Sequence, residues 1–177
     1  KGQIVTGWNF PKTSSNIIMT PEHHQIRGKD YIIISEANGN MHILNRKGQA
    51  RLSINEKIYR TKHLINILED KQKSTHDKFI TQNSDGKIMM ISINGQIDTL
   101  QIDNLKKDDI YIKKKDYTII LRDRKLSFSS HNNKFEYNFN SSNLSVPKIF
   151  SNNDSLFIAI KNKEDNLIYI LNQNGEK

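Results

Sequence analysis

No cysteine occurs in the 177 residues of the chain, which excludes disulfides, thiolate zinc sites and cysteine nucleophiles. A cysteine-free chain suits either side of a membrane, so the redox compartment stays open. There are only three prolines and one tryptophan. No apolar run approaches the roughly 20 residues of a spanning helix, and nothing at the start of the chain reads as a signal peptide. The first residue is Lys1, and the chain opens on a turn and closes on one. It therefore reads as a piece of a longer protein, with any targeting signal outside it.

What is abundant is isoleucine, asparagine and lysine, with 27, 21 and 21 copies. Isoleucine falls in short, evenly spaced clusters, as in a folded chain with a core; a disordered chain would scatter such residues or lack them. Asparagine and lysine sit between the clusters, where turns and strand flanks belong. The net charge of +8 raises the idea of nucleic acid or an anionic membrane. Its distribution argues against both. Lys106-Lys107 runs into Asp108-Asp109, Lys113-Lys114-Lys115 into Asp116, and Arg122 and Arg124 flank Asp123. Only six of the 27 basic residues are arginine, the side chain best suited to phosphates and bases. The charge reads as a solvated surface.

Asp30 to Ile54, DYIIISEANGNMHILNRKGQARLSI, shows the grammar of the whole chain. Apolar runs at Tyr31 to Ile34, Met41 to Leu44 and Ala50 to Ile54 are separated by turns at Asn38-Gly39 and Lys47-Gly48. Asn-Gly predicts two-residue hairpins with positive φ, and β-branched flanks predict strands. Pro21 opens a short strand leading into Asp30. The stretch Lys57 to Leu68 is expected to be a strand, because its apolar spacing fits a helical stripe poorly. The same pattern returns at Phe79 to Ile102, at Ile110 to Phe139 and at Lys148 to Leu171. Phe135, Tyr137 and Phe139 alternate with polar residues, the period of a strand with one buried face.

The second turns fall at Gly2, Gly48, Gly95, Asn133 and Gly175, at intervals of 46, 47, 38 and 42 residues. A period of about 40 to 45 with four strands per unit marks β-propeller blades; a β-sandwich is not expected to keep phase through four copies. The fold class expected is all-β, propeller-like, with about four four-stranded antiparallel blades, either a four-bladed ring or part of a larger one. Residues 1–177 form one repeat region with units at roughly 7–54, 55–102, 103–140, and 141–177 plus 1–6. On this reading Lys1 to Thr6 completes the sheet that Leu167 to Leu171 leaves open.

GWNFPKT at Gly7 to Thr13, KDYIIISEANGNMHILNRKGQARLSI at Lys29 to Ile54, and VPKIFSNNDSLFIAIKNKEDNLIYILNQNGEK at Val146 to Lys177 carry a resemblance. It is to the WD40-like and quinoprotein-like propellers of large bacterial cell-envelope proteins. More narrowly, the chain resembles the C-terminal propeller region of uncharacterised Bacteroidetes-type envelope proteins, a family without an assigned activity. The resemblance implies blades and a periplasmic or outer-surface location. It carries over no catalytic, cofactor-binding or metal-binding residue.

Candidate chemistry is sparse. A quinone cofactor needs a tryptophan floor, an acidic calcium site and usually a cysteine pair, so no cofactor is expected. Asn83-Ser84-Asp85-Gly86 and Glu36-Ala37-Asn38-Gly39 come nearest to calcium loops, but both sit where a hairpin needs Asn/Asp-Gly. His23 and His24 are adjacent on a strand and point to opposite faces; His42, His63, His76 and His131 are scattered. No serine sits in a nucleophile elbow, and Glu22, Glu36, Glu56, Glu69 and Asp98 form no pair. Trp8, Phe10 and Pro11 are the one candidate locus, as a loop that binds a sugar or peptide, or as residues that wedge between blades while Pro11 fixes the bend. The function expected is a non-catalytic binding or scaffolding module with a protein or peptide partner, or a carbohydrate. The alternative is part of an enzyme whose catalytic residues lie on other blades or another domain.

Overall fold

The computed structural model describes residues 6–70, 72–152 and 155–177. They form fifteen strands in four antiparallel sheets, bearing out the all-β expectation and its propeller-type blades. The only helical element among them is one 3-10 turn, Ser74–His76. Two compact units divide the chain, Lys1–Lys107 and Asp108–Lys177. The first holds a sheet of β1 (Glu22–Ile26), β2 (Lys29–Ser35), β3 (Met41–Leu44) and β4 (Ala50–Leu52). Its second sheet comprises β5 (Asn66–Leu68), β6 (Lys78–Gln82), β7 (Ile88–Ser92) and β8 (Ile97–Leu100). The other unit holds β9 (Ile110–Lys113), β10 (Tyr117–Arg122), β11 (Lys125–Ser130) and β12 (Lys134–Asn138), then β13 (Lys148–Asn152), β14 (Ser155–Lys161) and β15 (Ile168–Asn172). Strands run up and down in sequence order within every sheet. The last sheet has three strands among the described residues, and the completing strand expected at Lys1 to Thr6 lies, but for Thr6, outside them.

Alternate residues of each strand face a core shared by the two sheets of a unit. In the first unit Ile33, Ile43, Phe79 and Ile91 meet there with Tyr31, Met41, Met89 and the connecting Ile58 and Ile65. In the second, Ile119, Leu126, Ile158 and Leu171 pack with Phe128, Tyr169 and the connecting Phe139 and Leu144. Aromatic rings join sheets edge-on, Tyr31 with Phe79 at 5.1 Å and Phe139 with Tyr169 at 5.2 Å. Such contacts add roughly 0.5–1.5 kcal/mol each beyond the area they bury.

The turns differ from the two-residue hairpins expected. At Asn45–Gln49 the Asn45 N–H donates to the Gln49 carbonyl at 2.9 Å and the Gly48 N–H to the Asn45 carbonyl at 2.9 Å. Glu36–Asn40, Asn83–Lys87, Ser92–Gln96 and Asn172–Glu176 repeat this pair of bonds. These are three-residue loops in which the glycine alone takes positive φ, from 71° at Gly48 to 89° at Gly95, the geometry of a type I turn followed by a left-handed residue. The side chain of the first residue explains the change: Asn45 Oδ1 accepts the N–H of Lys47 at 2.8 Å and of Gln49 at 3.1 Å, and Asn83 and Asn172 do the same. A two-residue turn with both residues at positive φ does occur, at Arg27-Gly28 between Ile26 and Lys29.

The glycines also admit neighbouring chain. A Cβ on Gly86 would collide with the carbonyl of Leu105, and one on Gly175 would come within 2.7 Å of the Phe135 ring. On Gly48 it would meet the Phe10 N–H and the Trp8 ring, both at 2.8 Å. Neighbouring segments are therefore seated directly on the turns.

The strand expected over Lys57 to Leu68 is confined to its last three residues, Asn66–Leu68. Before it, the backbone changes partners at each step. The Ile58 N–H donates to the Gly39 carbonyl at 2.8 Å, the Tyr59 carbonyl accepts from Ser84 at 2.7 Å, and the Thr61 N–H donates to the Gln82 carbonyl at 2.9 Å. A segment crossing from one sheet to the next cannot hold register with either. It carries Arg60 inward, where Nη2 meets Glu22 Oε1 at 2.8 Å, Nε meets Thr81 Oγ1 at 2.8 Å and Nη1 meets Ser35 Oγ at 2.7 Å. The other Glu22 oxygen accepts the Ile65 N–H at 2.7 Å. This buried pair ties β1, β2 and β6 to the crossing segment. Burial opposes the charge of both partners; the nearby His24 ring, Arg60 and the Ile65 N–H nevertheless hold the Glu22 carboxyl below its usual range.

A second buried carboxylate anchors the segment that precedes β1. Glu36, 1% exposed, accepts from the Ser14 hydroxyl at 2.5 Å, the N–H groups of Ser14 and Ser15 at 3.2 and 3.0 Å, and Asn40 Nδ2 at 3.3 Å. His42 Nε2 lies 2.6 Å from its other oxygen. Burial alone would raise this carboxyl, but the Ser14 hydroxyl, the His42 ring, the Ser14 N–H and the Asn40 amide override it and hold it far below the ordinary range.

Three outcomes follow from these contacts. Gly86→Ala combines left-handed strain with the Leu105 collision and lowers stability by more than about 1 kcal/mol; Gly28→Ala, at a φ of 74° in open space, costs less, both read from urea midpoints. Glu22→Gln strands the Arg60 charge and costs about 3–5 kcal/mol, whereas adding Arg60→Met restores most of that loss in a double-mutant cycle. Glu36 is depressed in the folded state, so its contribution is full above the ordinary carboxyl pKa and is lost as pH falls below it. The stability gap between the native chain and Glu36→Gln should thus be widest above about pH 5 and shrink towards pH 2 in thermal melts; a constant gap would contradict the assignment.

Candidate binding surfaces

Most of the ionisable side chains that sequence singled out are engaged in bonds that hold turns and strands. His23 and His24 diverge across β1: His23 Nε2 lies 2.8 Å from Asp30 Oδ1 and His24 Nε2 lies 3.5 Å from Glu22 Oε2. His63 reaches the Lys107 carbonyl at 3.1 Å, and His76 reaches Asp70 at 3.1 Å. His131 lies exposed in a bend, and Glu56 and Glu69 are exposed in connections. Asp98 pairs with Lys78 at 2.8 Å. Asp77, fully buried, accepts from Arg27 Nε at 2.7 Å and from the Asp70 N–H at 2.8 Å, while Arg27 Nη2 also meets the Asp70 carbonyl. Among the described residues no group of three or more His, Asp or Glu stands where it could hold a metal ion. In the two loops nearest to calcium motifs, the side-chain oxygens of Asn83 and Glu36 turn onto N–H and hydroxyl donors around their own turns.

Trp8, Phe10 and Pro11 lie against the β3–β4 turn. The Asn9 N–H donates to the Lys47 carbonyl at 2.8 Å, which seats the half-buried Trp8 ring over Gly48 and brings Phe10 to 4.8 Å from the His42 ring. Pro11 is exposed. A shallow cleft of about 440 Å³ opens beside them, lined by Thr6, Trp8, Asn9, Arg46, Lys47 and Gln49 among others. Arg46 is partly committed, with Nε 2.6 Å from Asp30 Oδ2. An indole edge, two cations and two amides suit hydrogen-bonding ligands with carbonyl or carboxylate groups. Arg46, Lys47 and Gln49 escape a sequence reading because the turn chemistry of Gly48 already accounts for that stretch.

A second surface was not expected. The sheet of β13–β15 buries Ile149, Ile158, Ile160, Tyr169 and Leu171 towards its own unit's core. Its opposite face carries Phe150 stacked on Phe157 at 5.4 Å, with Ile168 and Ile170 alongside. Phe150, Ile168 and Ile170 are 47%, 62% and 47% exposed, and Leu167 at the start of β15 is 55% exposed. Lys148 and Lys161 stand on the same face, in the rows of Ile170 and Ile168. The signal was present in the run Leu167 to Leu171, apolar at every position, which fits a strand covered on both faces.

No protein-family model and no curated protein matches the chain. Among solved structures it is similar to BBS1N in complex with ARL6DN from a lead-soaked crystal, with a TM-score of 0.57 at 12% identity over 95% of this chain and 55% of that one. It is likewise similar to the mercury-soaked form of that complex, with a TM-score of 0.55 at 11% identity over 90% of this chain and 48% of that one. The chain thus spans about half the length of the solved chains it matches, and at this level of identity the likeness is one of fold.

Proposed function

We propose that the chain is a non-catalytic protein-binding or scaffolding module of a larger protein. The observation that carries this reading is the exposed apolar face of β13–β15, where Phe150, Ile168 and Ile170 stand together on a rigid sheet. Contiguous apolar surface of this kind marks interaction sites, and aromatic anchors dominate the energy of such sites. Support comes from the buried carboxylates Glu22, Glu36 and Asp77, whose oxygens are all bonded to structural donors rather than presented to a ligand. The solved structure of similar fold was determined with ARL6DN bound. The WD40-like or quinoprotein-like kinship and the bacterial envelope location are part of the proposal, supported by the resemblance of the three sequence stretches given above.

Selection of random peptides against the immobilised chain tests the reading. Enriched peptides should lose at least tenfold in affinity on the Phe150→Ser, Ile168→Ser double variant, a loss of about 1.4 kcal/mol or more. Trp8→Ala should leave them unchanged. Loss on Trp8→Ala instead moves the site to the cleft at Arg46 and Lys47, and failure to enrich any peptide overturns the binding reading.

A further inference from the structure

Three of the four sheets have a fourth strand, and in each it pairs antiparallel with the third. The remaining sheet ends at β15 among the described residues. The state of that edge can be read from one bond. Asn162 N–H donates to the Leu167 carbonyl at 2.8 Å, so those two residues form a hydrogen-bonded pair. Pairing alternates along an antiparallel ladder, and the register sets Lys161 opposite Ile168 and Ala159 opposite Ile170. The N–H and C=O groups of Ile168 and Ile170 therefore point away from β14, along the open edge. The same two residues present the exposed isoleucines of the apolar face.

We infer that the β15 edge takes up an extended segment of a partner protein as a fourth antiparallel strand, with apolar residues facing the Phe150–Ile170 patch and acidic residues beside the lysines. The inference rests on the protein-binding reading and specifies its mode. Natural edge strands are blunted by charge, proline or bulges; Ile168–Asn172 has no charged residue and no proline, and its pairing with β14 is regular. A strand added here gains main-chain hydrogen bonds for affinity and alternate side-chain pockets for specificity.

Charge and space decide between this occupant and a second copy of the chain. Lys148 and Lys161 flank the patch on the same face, so two copies edge to edge would gather like charge, whereas an acidic segment is attracted. The turn at Asn172–Glu176 also occupies the edge beside Asn172, because the Asn172 N–H is already bonded to the Glu176 carbonyl at 2.9 Å. Only Ile168 to Ile170 is open. That length suits a short segment such as β4, itself three residues long, and would obstruct symmetric pairing of two whole β15 strands.

The probe is a synthetic octapeptide alternating valine with glutamate, titrated into the full chain by fluorescence anisotropy, with amide hydrogen exchange read in parallel. Expected are saturable binding, slowed exchange at the Ile168 and Ile170 amides, and at least tenfold weaker binding of a peptide N-methylated at alternate residues. Ile170→Pro, which removes an outward N–H at an edge position, should weaken binding by a similar factor; Ile168→Lys, which keeps the backbone, should also weaken it. Equal binding of the methylated peptide, together with loss on Ile168→Lys, leaves a protein-binding face but overturns strand addition. Absence of binding by either peptide overturns this proposal alone when library-selected peptides still bind the patch, and both readings when they do not. Concentration-dependent dimerisation that protects the two amides gives the edge to a second copy, and protection without peptide that disappears on deleting residues 1–6 gives it to the chain's own start; either result overturns the proposal.

Discussion

Left-handed glycine at the turns is the constraint on which the rest of the structure depends. Each such residue ends a three-residue loop and at the same time leaves its outer side bare of a Cβ. Into that gap comes another part of the same unit: Leu105 at Gly86, Trp8 and Phe10 at Gly48, Phe135 at Gly175. One residue type thus sets both the hairpin and the approach of the neighbouring segment. The strands between the turns need only alternate apolar and polar side chains to build the core. Removing the glycine would disturb two levels of structure together.

Charge plays a matching part where the chain leaves the ladder. Segments that cross between elements cannot satisfy their backbone groups in a regular way, and buried side chains take over. Glu36 collects the donors of Ser14 and Ser15, Glu22 collects Arg60 and the Ile65 N–H, and Asp77 collects Arg27 and the Asp70 N–H. Buried ionic groups of this sort are weak sources of net stability and are retained in some proteins for the specificity they impose. Here they specify which connection lies on which turn. A carboxylate saturated by such donors has no free lone pair for a proton transfer or a metal, so the same feature that orders the loops withdraws these groups from chemistry.

Much of this was legible in the residues themselves. Strand positions follow from period-two runs of isoleucine, and the phase of the glycines separates the sheets. The type of turn was not, because Asn-Gly and Asp-Gly serve two-residue and three-residue loops alike and the choice depends on an asparagine side chain folding back on its own turn, as at Asn45. The short extent of β5 was hidden for another reason: the partners of Ile58, Tyr59 and Thr61 are more than 18 residues away. The inward turn of Arg60 depends on Glu22, 38 residues distant. At the candidate surfaces, Trp8 and Phe10 were found from their rarity, while Phe150, Ile168 and Ile170 look like ordinary core residues until the sheet that should cover them is counted.

The connectivity has a consequence for how such a chain comes into being. Every strand is hydrogen-bonded only to its immediate neighbours along the sequence, so each pairing closes a loop of a few residues and carries a small entropic cost. Registers are set locally, one hairpin at a time, and contacts of low sequence separation favour rapid folding. A unit of this kind can be duplicated or lost without changing the register of any other, which makes the number of blades a quantity that gene duplication can alter more readily than the shape of one.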